Sequence, residues 1–245
     1  MIVADLGDRL RFTTQNDHAH LAAELLSLWR DDDMPTHPRR DELLFAAREH
    51  DNGWREEDAA PSMHPDTGVA YNFITLPTPR RQALWQRGLE RYADEQPYAT
   101  LLIVEHARNL HRRRRDDPDW RDILTRWDNL GEELRTRLAE AMEGPLDETI
   151  IAADYRLVDV TDTLSLAIAA GWSKPFTYRE FESVYEPATE TLRITPFPFA
   201  GETTLHLSCR EVENRNWESD RDLATSLALA TWRRQPVRIA PLEPA

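Results

Sequence analysis

The spacing of apolar residues along the chain predicts a protein made mostly of helices. Apolar side chains recur at helical intervals, which places them on one face of each helix. Proline or a short polar residue precedes several of these stretches, as is typical of helix starts. The predicted helices cover residues 14–29, 39–51, 78–92, a stretch beginning at 97, and residues 117–143, 147–170 and 220–233.

Short stretches with strand-like patterns predict a smaller amount of β-structure at both ends of the chain. Residues 1–14 form a predicted hairpin that turns at Gly7, and residues 191–195, 203–209 and 237–239 are predicted strands. The expected fold is therefore mainly α, a helical bundle with a small β-containing part formed by the N-terminal hairpin and the C-terminal strands. We expect two units, a helical domain with the hairpin at residues 1–172 and a small α+β subdomain at 173–245.

The segment between the second and third predicted helices lacks a periodic pattern. Residues 55–78 contain several prolines and Gly68. Structureless segments of this length are uncommon in compact domains and often serve as lids or binding loops. We expect this segment to border a functional site.

Composition limits the partners of the protein. The formal net charge of -14 disfavours general binding to nucleic acid, but a small anionic substrate is compatible with local clusters of arginine. Cys209 is the only cysteine, which excludes disulfides within the chain and thiolate metal clusters. No signal peptide or membrane-spanning run is predicted, so we expect a cytoplasmic protein without a membrane partner. The oligomeric state is left open, and a homo-oligomer is compatible with the sequence.

Several polar residues fall on the apolar faces of different predicted helices. His18, His50 and Asp162 lie inward on three helices, and Asp51 follows His50 directly. His106 lies inward on a fourth helix, whereas His20 and His111 are expected in solvent. A buried carboxylate is costly unless it is paired or binds a metal.

This set of side chains is suited to a divalent transition metal. His18, His50, Asp51 and Asp162 offer two imidazoles and two carboxylates, which suit Mn, Fe, Zn, Ni or Co. Helical folds commonly build such sites from side chains on facing helices. A second metal would need further ligands, of which His106 is the candidate.

The order His…His-Asp…Asp resembles the HD-domain superfamily of metal-dependent phosphohydrolases, which have a helical fold. More closely, the chain resembles a family of uncharacterised bacterial proteins, DUF3891. The stretches that carry this resemblance are QNDHA at 15–19, HDNGW at 50–54 and DTLSL at 162–166, together with Pro61, Gly68, Asn72-Phe73 and the helix around His106. The resemblance implies an HD-like helical bundle and hydrolysis of a small phosphorylated or nucleotide substrate.

The resemblance also suggests roles for individual residues. Asp51 and His106 are the expected catalytic residues, with His106 as a substrate contact, general acid or further metal ligand. Asp159 is a candidate for orienting a ligand from outside the coordination shell. The expected substrate-binding residues are Arg48, Trp54, Arg55, Asn72 and Arg108. Two alternatives stay open: a diiron oxygenase, which needs a second metal, and a metal-binding or regulatory module without catalysis.

Overall fold

A sheet of seven strands forms one layer of this computed structural model, which describes residues 1–31 and 34–243. The strand order is β1-β2-β6-β7-β5-β4-β3. Only β5 and β7 run parallel, and the other neighbours are antiparallel. The strands are β1 (Ile2–Asp5), β2 (Arg9–Thr13), β3 (Phe176–Tyr178), β4 (Phe181–Glu186), β5 (Thr191–Thr195), β6 (Thr203–Glu213) and β7 (Trp232–Pro241).

Helices form the second layer, and most of them follow predicted stretches. The exception is a five-residue helix at Arg55–Ala59, which lies in the segment predicted to lack regular structure and is too short to show helical spacing. Thr14 caps the first helix by accepting a hydrogen bond from the Asp17 N–H at 2.9 Å. Asp117 and Asp147 cap two others in the same way. The helices are α1 (Gln15–Leu28), α2 (Arg40–Glu49), α3 (Arg55–Ala59), α4 (Thr78–Glu90), α5 (Pro97–Leu110), α6 (Pro118–Ala141), α7 (Glu148–Ala170) and α8 (Asp220–Leu229).

The prediction of a mainly α, HD-domain-like bundle is wrong, because the β-structure is one extensive mixed sheet. Helices account for 51% of the residues and strands for 20%. The strands β3 and β4 were not predicted, since they are short and carry several polar residues. The strand β7 is ten residues long, although its first half is rich in arginine and largely exposed. The predicted C-terminal helix was accordingly too long, because α8 ends at Leu229.

The sheet joins the two ends of the chain. The hairpin β1–β2 forms as predicted, and β2 then pairs with β6, with Phe12 opposite Arg210. The predicted boundary at residue 172 lies between α7 and β3, and both the sheet and the main apolar core include residues from either side of it. The division into two units stays a prediction.

The core between the layers positions the helices that carry the polar constellation. The helix α1 packs against α2 and α7, and α7 also contacts β1 and β4. Trp29, at the end of α1, packs edge-on against Phe181 of β4 and against Phe199. Within residues 1–31 and 34–243, no helix combines the length and the apolar character needed to cross a bilayer.

The strand β7 holds the sheet together, because it pairs with β6 on one side and β5 on the other. We expect Ile239→Ala, which empties a fully buried position in β7, to lower the free energy of unfolding by about 2–5 kcal/mol. The control Leu229→Ala, at a position that is 81% exposed, should change it by no more than about 0.5 kcal/mol. Urea denaturation of both variants beside the parent measures this. Equal stability of the two variants would show that β7 is dispensable.

Candidate metal centre

A pocket of about 250 Å³ opens where α1, α4, α5, α7 and the turn after α2 meet. One part of its lining is polar and titratable, and the rest is aromatic and aliphatic. The polar lining consists of Gln15, His18, Asp51, Arg81, His106, His111 and Asp162. The apolar lining consists of Trp54, Phe73, Ile74, Trp85, Leu110 and Leu166.

The structure brings the four predicted metal ligands together. His18 Nε2 lies 3.0 Å from Asp51 Oδ2. His50 Nε2 lies 3.1 Å from Asp162 Oδ1 and 3.6 Å from Asp51 Oδ2. All four residues are buried, although they come from two helices, α1 and α7, and from the turn after α2. The helical spacing therefore identified the inward face of each helix correctly.

A close backbone contact fixes the position of the His50-Asp51 pair. The helix α2 ends at Glu49, and the chain then makes a tight helical turn at Asn52–Trp54. Gly53 in this turn lies against α4, where an added Cβ would come within 2.1 Å of the Leu84 carbonyl oxygen. Only glycine permits this approach. The turn thereby seats Asp51 on one side of the pocket and Trp54 on another.

Hydrogen bonds at Nδ1 determine which nitrogen each histidine presents to the carboxylates. His50 Nδ1 donates to the Ala47 carbonyl oxygen at 2.8 Å. The Ser165 hydroxyl donates to the Asp162 backbone oxygen, so it must accept from His18 Nδ1, which lies 3.0 Å away. With Nδ1 protonated, the neutral form of each ring has its lone pair at Nε2. Both lone pairs thus face the carboxylates of Asp51 and Asp162.

The buried carboxylates create a strongly negative environment. Burial alone would lower the pKa of His50, but the charges of Asp162 and Asp51 outweigh it and raise that pKa to about 9. Burial likewise opposes ionisation of Asp162 and Asp51, yet the neighbouring imidazoles hold the pKa of both carboxyls below the usual range. The site therefore favours positive charge between the rings and the carboxylates.

The donor set fits a metal ion. Ligand atoms of His18, His50 and Asp162 lie within 4.8 Å of one another, so this buried group could hold a metal. Asp51 adjoins the group through its contacts with both histidines. His50 Nε2 is buried and, within residues 1–31 and 34–243, has no hydrogen-bond partner of good geometry, although Asp162 Oδ1 is only 3.1 Å away. A metal would satisfy this atom.

His106 lies next to these four residues, near Oδ2 of Asp162. Its Nε2 lies 3.7 Å from Asp162 Oδ2, and its ring packs edge-on against His50. Burial lowers the pKa of His106, with a further contribution from the charge of His50. Its Nδ1 is buried without a hydrogen-bond partner.

Four of the five predicted substrate-binding residues are placed elsewhere. Trp54 lines the pocket as expected, but Arg48 and Arg55 both pair with Glu49. Arg108 pairs with Glu105 and Asp128, each at 2.8 Å. The Asn72 side chain accepts hydrogen bonds from the backbone of its own turn, at Ile74 and Thr75. From the predicted loop at 55–78, the residues that line the pocket are Phe73 and Ile74 rather than Arg55 or Asn72.

The hydrogen-bond partners of Asp159 are two tyrosines and an arginine rather than the candidate metal ligands. It accepts hydrogen bonds from the Tyr155 and Tyr178 hydroxyls and from Arg179. Tyr155 in turn packs beside His106, with ring centroids 6.2 Å apart. Asp159 therefore supports the pocket through this tyrosine, and its charge also acts on His106.

Two titratable residues of the pocket lining, Arg81 and His111, were not predicted from the sequence. Arg81 lies four residues before Trp85 on α4, so helical spacing could have placed both on one face. His111 was expected in solvent, yet it is half-buried and stacks on Trp120 with centroids 4.5 Å apart. Burial lowers the pKa of His111 to about 4, so this ring is neutral at pH 7.

The chain belongs to the DUF3891 family, described as a protein of unknown function, whose family model matches residues 1–214. Neither the curated proteins nor the solved structures contain a match to the chain. The matched residues include the whole pocket lining, whereas the central strand β7 lies beyond them.

The geometry predicts that metal affinity depends on Asp162. The variant Asp162→Asn keeps the side-chain volume but removes the charge, and we expect at least about a tenfold loss of metal affinity. His20→Ala is the control, because His20 lies on the exposed side of the same helix as His18. Elemental analysis and titration with Mn²⁺ or Zn²⁺ followed by melting temperature measure both variants. Unchanged affinity in Asp162→Asn would exclude this group as the metal site.

Proposed function

We propose that this member of the DUF3891 family is a metal-dependent hydrolase that cleaves phosphate esters of a small molecule. The observation that carries the proposal is the shared orientation of His18 and His50, whose Nε2 atoms both face the carboxylates of Asp51 and Asp162. The group lines a pocket, so a bound metal would be accessible to substrate. The proposal is also consistent with the resemblance of the ordered motif to the HD-domain phosphohydrolases.

The residues that would hold the metal are His18, His50, Asp162 and Asp51. Mixed nitrogen and oxygen donors of this kind suit Mn, Fe, Zn, Ni or Co. Such a metal supplies Lewis acidity and lowers the pKa of bound water, which is the chemistry that hydrolysis of a phosphate ester requires. Ser165 and the Ala47 carbonyl keep the two imidazoles in the ligating tautomer.

The chain provides proton-transfer groups next to the metal ligands. The carboxylate of Asp51 lines the pocket and can accept a proton from the attacking water. His106 also lines the pocket, and its imidazole can exchange a proton with the leaving oxygen at Nε2, the nitrogen that faces Asp162. Both assignments place an acid or base within the same cavity as the reacting bond.

Apolar side chains form about half of the pocket lining around the candidate metal ligands. Trp54, Trp85 and Leu166 line the pocket together with the metal group, and Phe73 and Ile74 belong to the loop that reaches it. A dry, shaped cavity strengthens electrostatic interactions inside it. Its volume of about 250 Å³ is below the usual range of ligand pockets, which favours a small substrate.

One observation favours a second candidate, an oxidation at two metals. Asp162 directs Oδ1 toward His50 and Oδ2 toward His106, so Asp162, His50 and His106 could together help to hold two metals. A two-metal centre would then use His106 as a ligand rather than as a proton-transfer group. Metal stoichiometry separates the candidates, since the hydrolase needs one metal per chain and the oxygenase needs two.

A test of the hydrolase uses His106. We expect His106→Gln to lower kcat for the best ester in a panel of small phosphate esters by roughly 100-fold or more, because general acid–base groups contribute this much. Its metal content should stay at the parent level, as should the metal content and kcat of the matched control His206→Gln, which changes an exposed strand residue. Phosphate release with Mn²⁺-loaded protein is the measurement. Failure of the parent to turn over any ester, with the metal bound, would contradict the proposal.

A further inference from the structure

Arg81 is a positively charged group in the pocket that pairs with no carboxylate among the residues the structure describes. Its terminal nitrogen approaches only the Thr78 hydroxyl, at 3.3 Å, and its Nε is buried without a hydrogen-bond partner. Burial lowers the pKa of this guanidinium, although arginine stays charged at neutral pH. The preceding residue, Arg80, is by contrast paired with Glu57 and Ser62. An unpaired, partly buried guanidinium in a cavity is suited to an anion supplied by a ligand.

An aromatic platform holds the guanidinium in place. The Arg81 Cζ lies 5.7 Å from the centroid of the buried Trp120 ring, and His111 stacks on the same ring. His111 donates from Nδ1 to the Ala107 carbonyl oxygen at 2.9 Å, which leaves Nε2 as a hydrogen-bond acceptor. Arg81 and His111 therefore combine a charged donor and a neutral acceptor at this end of the pocket.

Trp85 lies between the aromatic platform and the part of the pocket that contains the candidate metal ligands. Its ring lies 6.0 Å from the His106 centroid and 5.6 Å from the His111 centroid, so it borders both polar ends of the pocket. Arg81 precedes Trp85 by four residues on α4, which corresponds to about 6 Å along the helix axis. Trp85 thus forms an apolar wall between the Arg81 end of the pocket and the end at His106.

We propose that the substrate carries a second anionic group, such as a carboxylate, which binds Arg81 while the reacting phosphoryl group lies at the metal ligands. This proposal rests on the proposed hydrolase. It restricts the substrate class to small phosphorylated organic acids whose two charged groups are joined by a short apolar chain. The cavity volume of about 250 Å³ accommodates such a molecule and disfavours a nucleotide.

Two non-hydrolysable probes test the second anionic group. They are 3-phosphonopropanoate, which carries a phosphonate and a carboxylate, and propylphosphonate, which lacks the carboxylate. Calorimetric titration of Mn²⁺-loaded protein should show that 3-phosphonopropanoate binds at least about tenfold more tightly, as expected for a charge-assisted hydrogen bond. Arg81→Gln should abolish this difference and leave the affinity for propylphosphonate unchanged. The matched control Arg80→Gln, on the same helix, should retain the difference.

The outcomes separate this proposal from the hydrolase itself. Equal affinities for the two probes in the parent protein, no binding of 3-phosphonopropanoate to it, or a preserved difference in Arg81→Gln would each overturn the role of Arg81. Titration of chelator-treated protein examines the other end of the pocket. If removal of the metal leaves both affinities unchanged while the Arg81-dependent difference persists, the metal role fails and the anion site stands.

Discussion

Two buried histidines that present the same ring nitrogen to two buried carboxylates impose the main electrostatic constraint on this fold. The Ala47 carbonyl and Ser165 engage the opposite nitrogens, so only lone pairs of the neutral rings remain for Asp51 and Asp162. A lone pair facing a carboxylate at about 3 Å is repulsive unless positive charge lies between them. A proton on one imidazole relieves part of this repulsion, whereas a divalent cation relieves all of it and links the segments that supply the ligands.

The remaining architecture serves to bring these segments together. The helix α1, which carries His18, follows β2 directly, so the position of His18 depends on the register of the sheet. The helix α7 packs on α1 and on the sheet, and it supplies both Asp162 and the serine that orients His18. Gly53 allows the turn after α2 to lie against α4, which brings Trp85 and Arg81 to the same pocket. The same packing of these segments therefore positions both the candidate metal ligands and the proposed anion site.

Local patterns predicted the burial of the candidate metal ligands better than they predicted the sheet and the ion pairs around them. Helical spacing depends only on neighbouring residues, and it correctly placed His18, His50 and Asp162 on inward faces. The sheet could not be recognised in the same way, because its order joins strands distant in sequence and β7 begins with exposed arginines. Local patterns could not show the role of an arginine either. Arg48, Arg55 and Arg108 have acidic partners, whereas Arg81 has none among the residues that the structure describes. Ion pairing is a property of tertiary packing, which the residue types alone do not reveal.

Anomalous X-ray diffraction from crystals of the metal-loaded protein tests whether His18, His50 and Asp162 hold a metal ion. Data collected on both sides of the absorption edge of the bound metal locate the ion independently of any assumed function. We predict one dominant anomalous peak at about 2.0–2.3 Å from Nε2 of His18 and of His50, with a carboxylate oxygen of Asp162 as a further ligand. A peak elsewhere in the molecule, or none in this group while His18 Nε2 stays within 3.0 Å of Asp51 Oδ2, would contradict it.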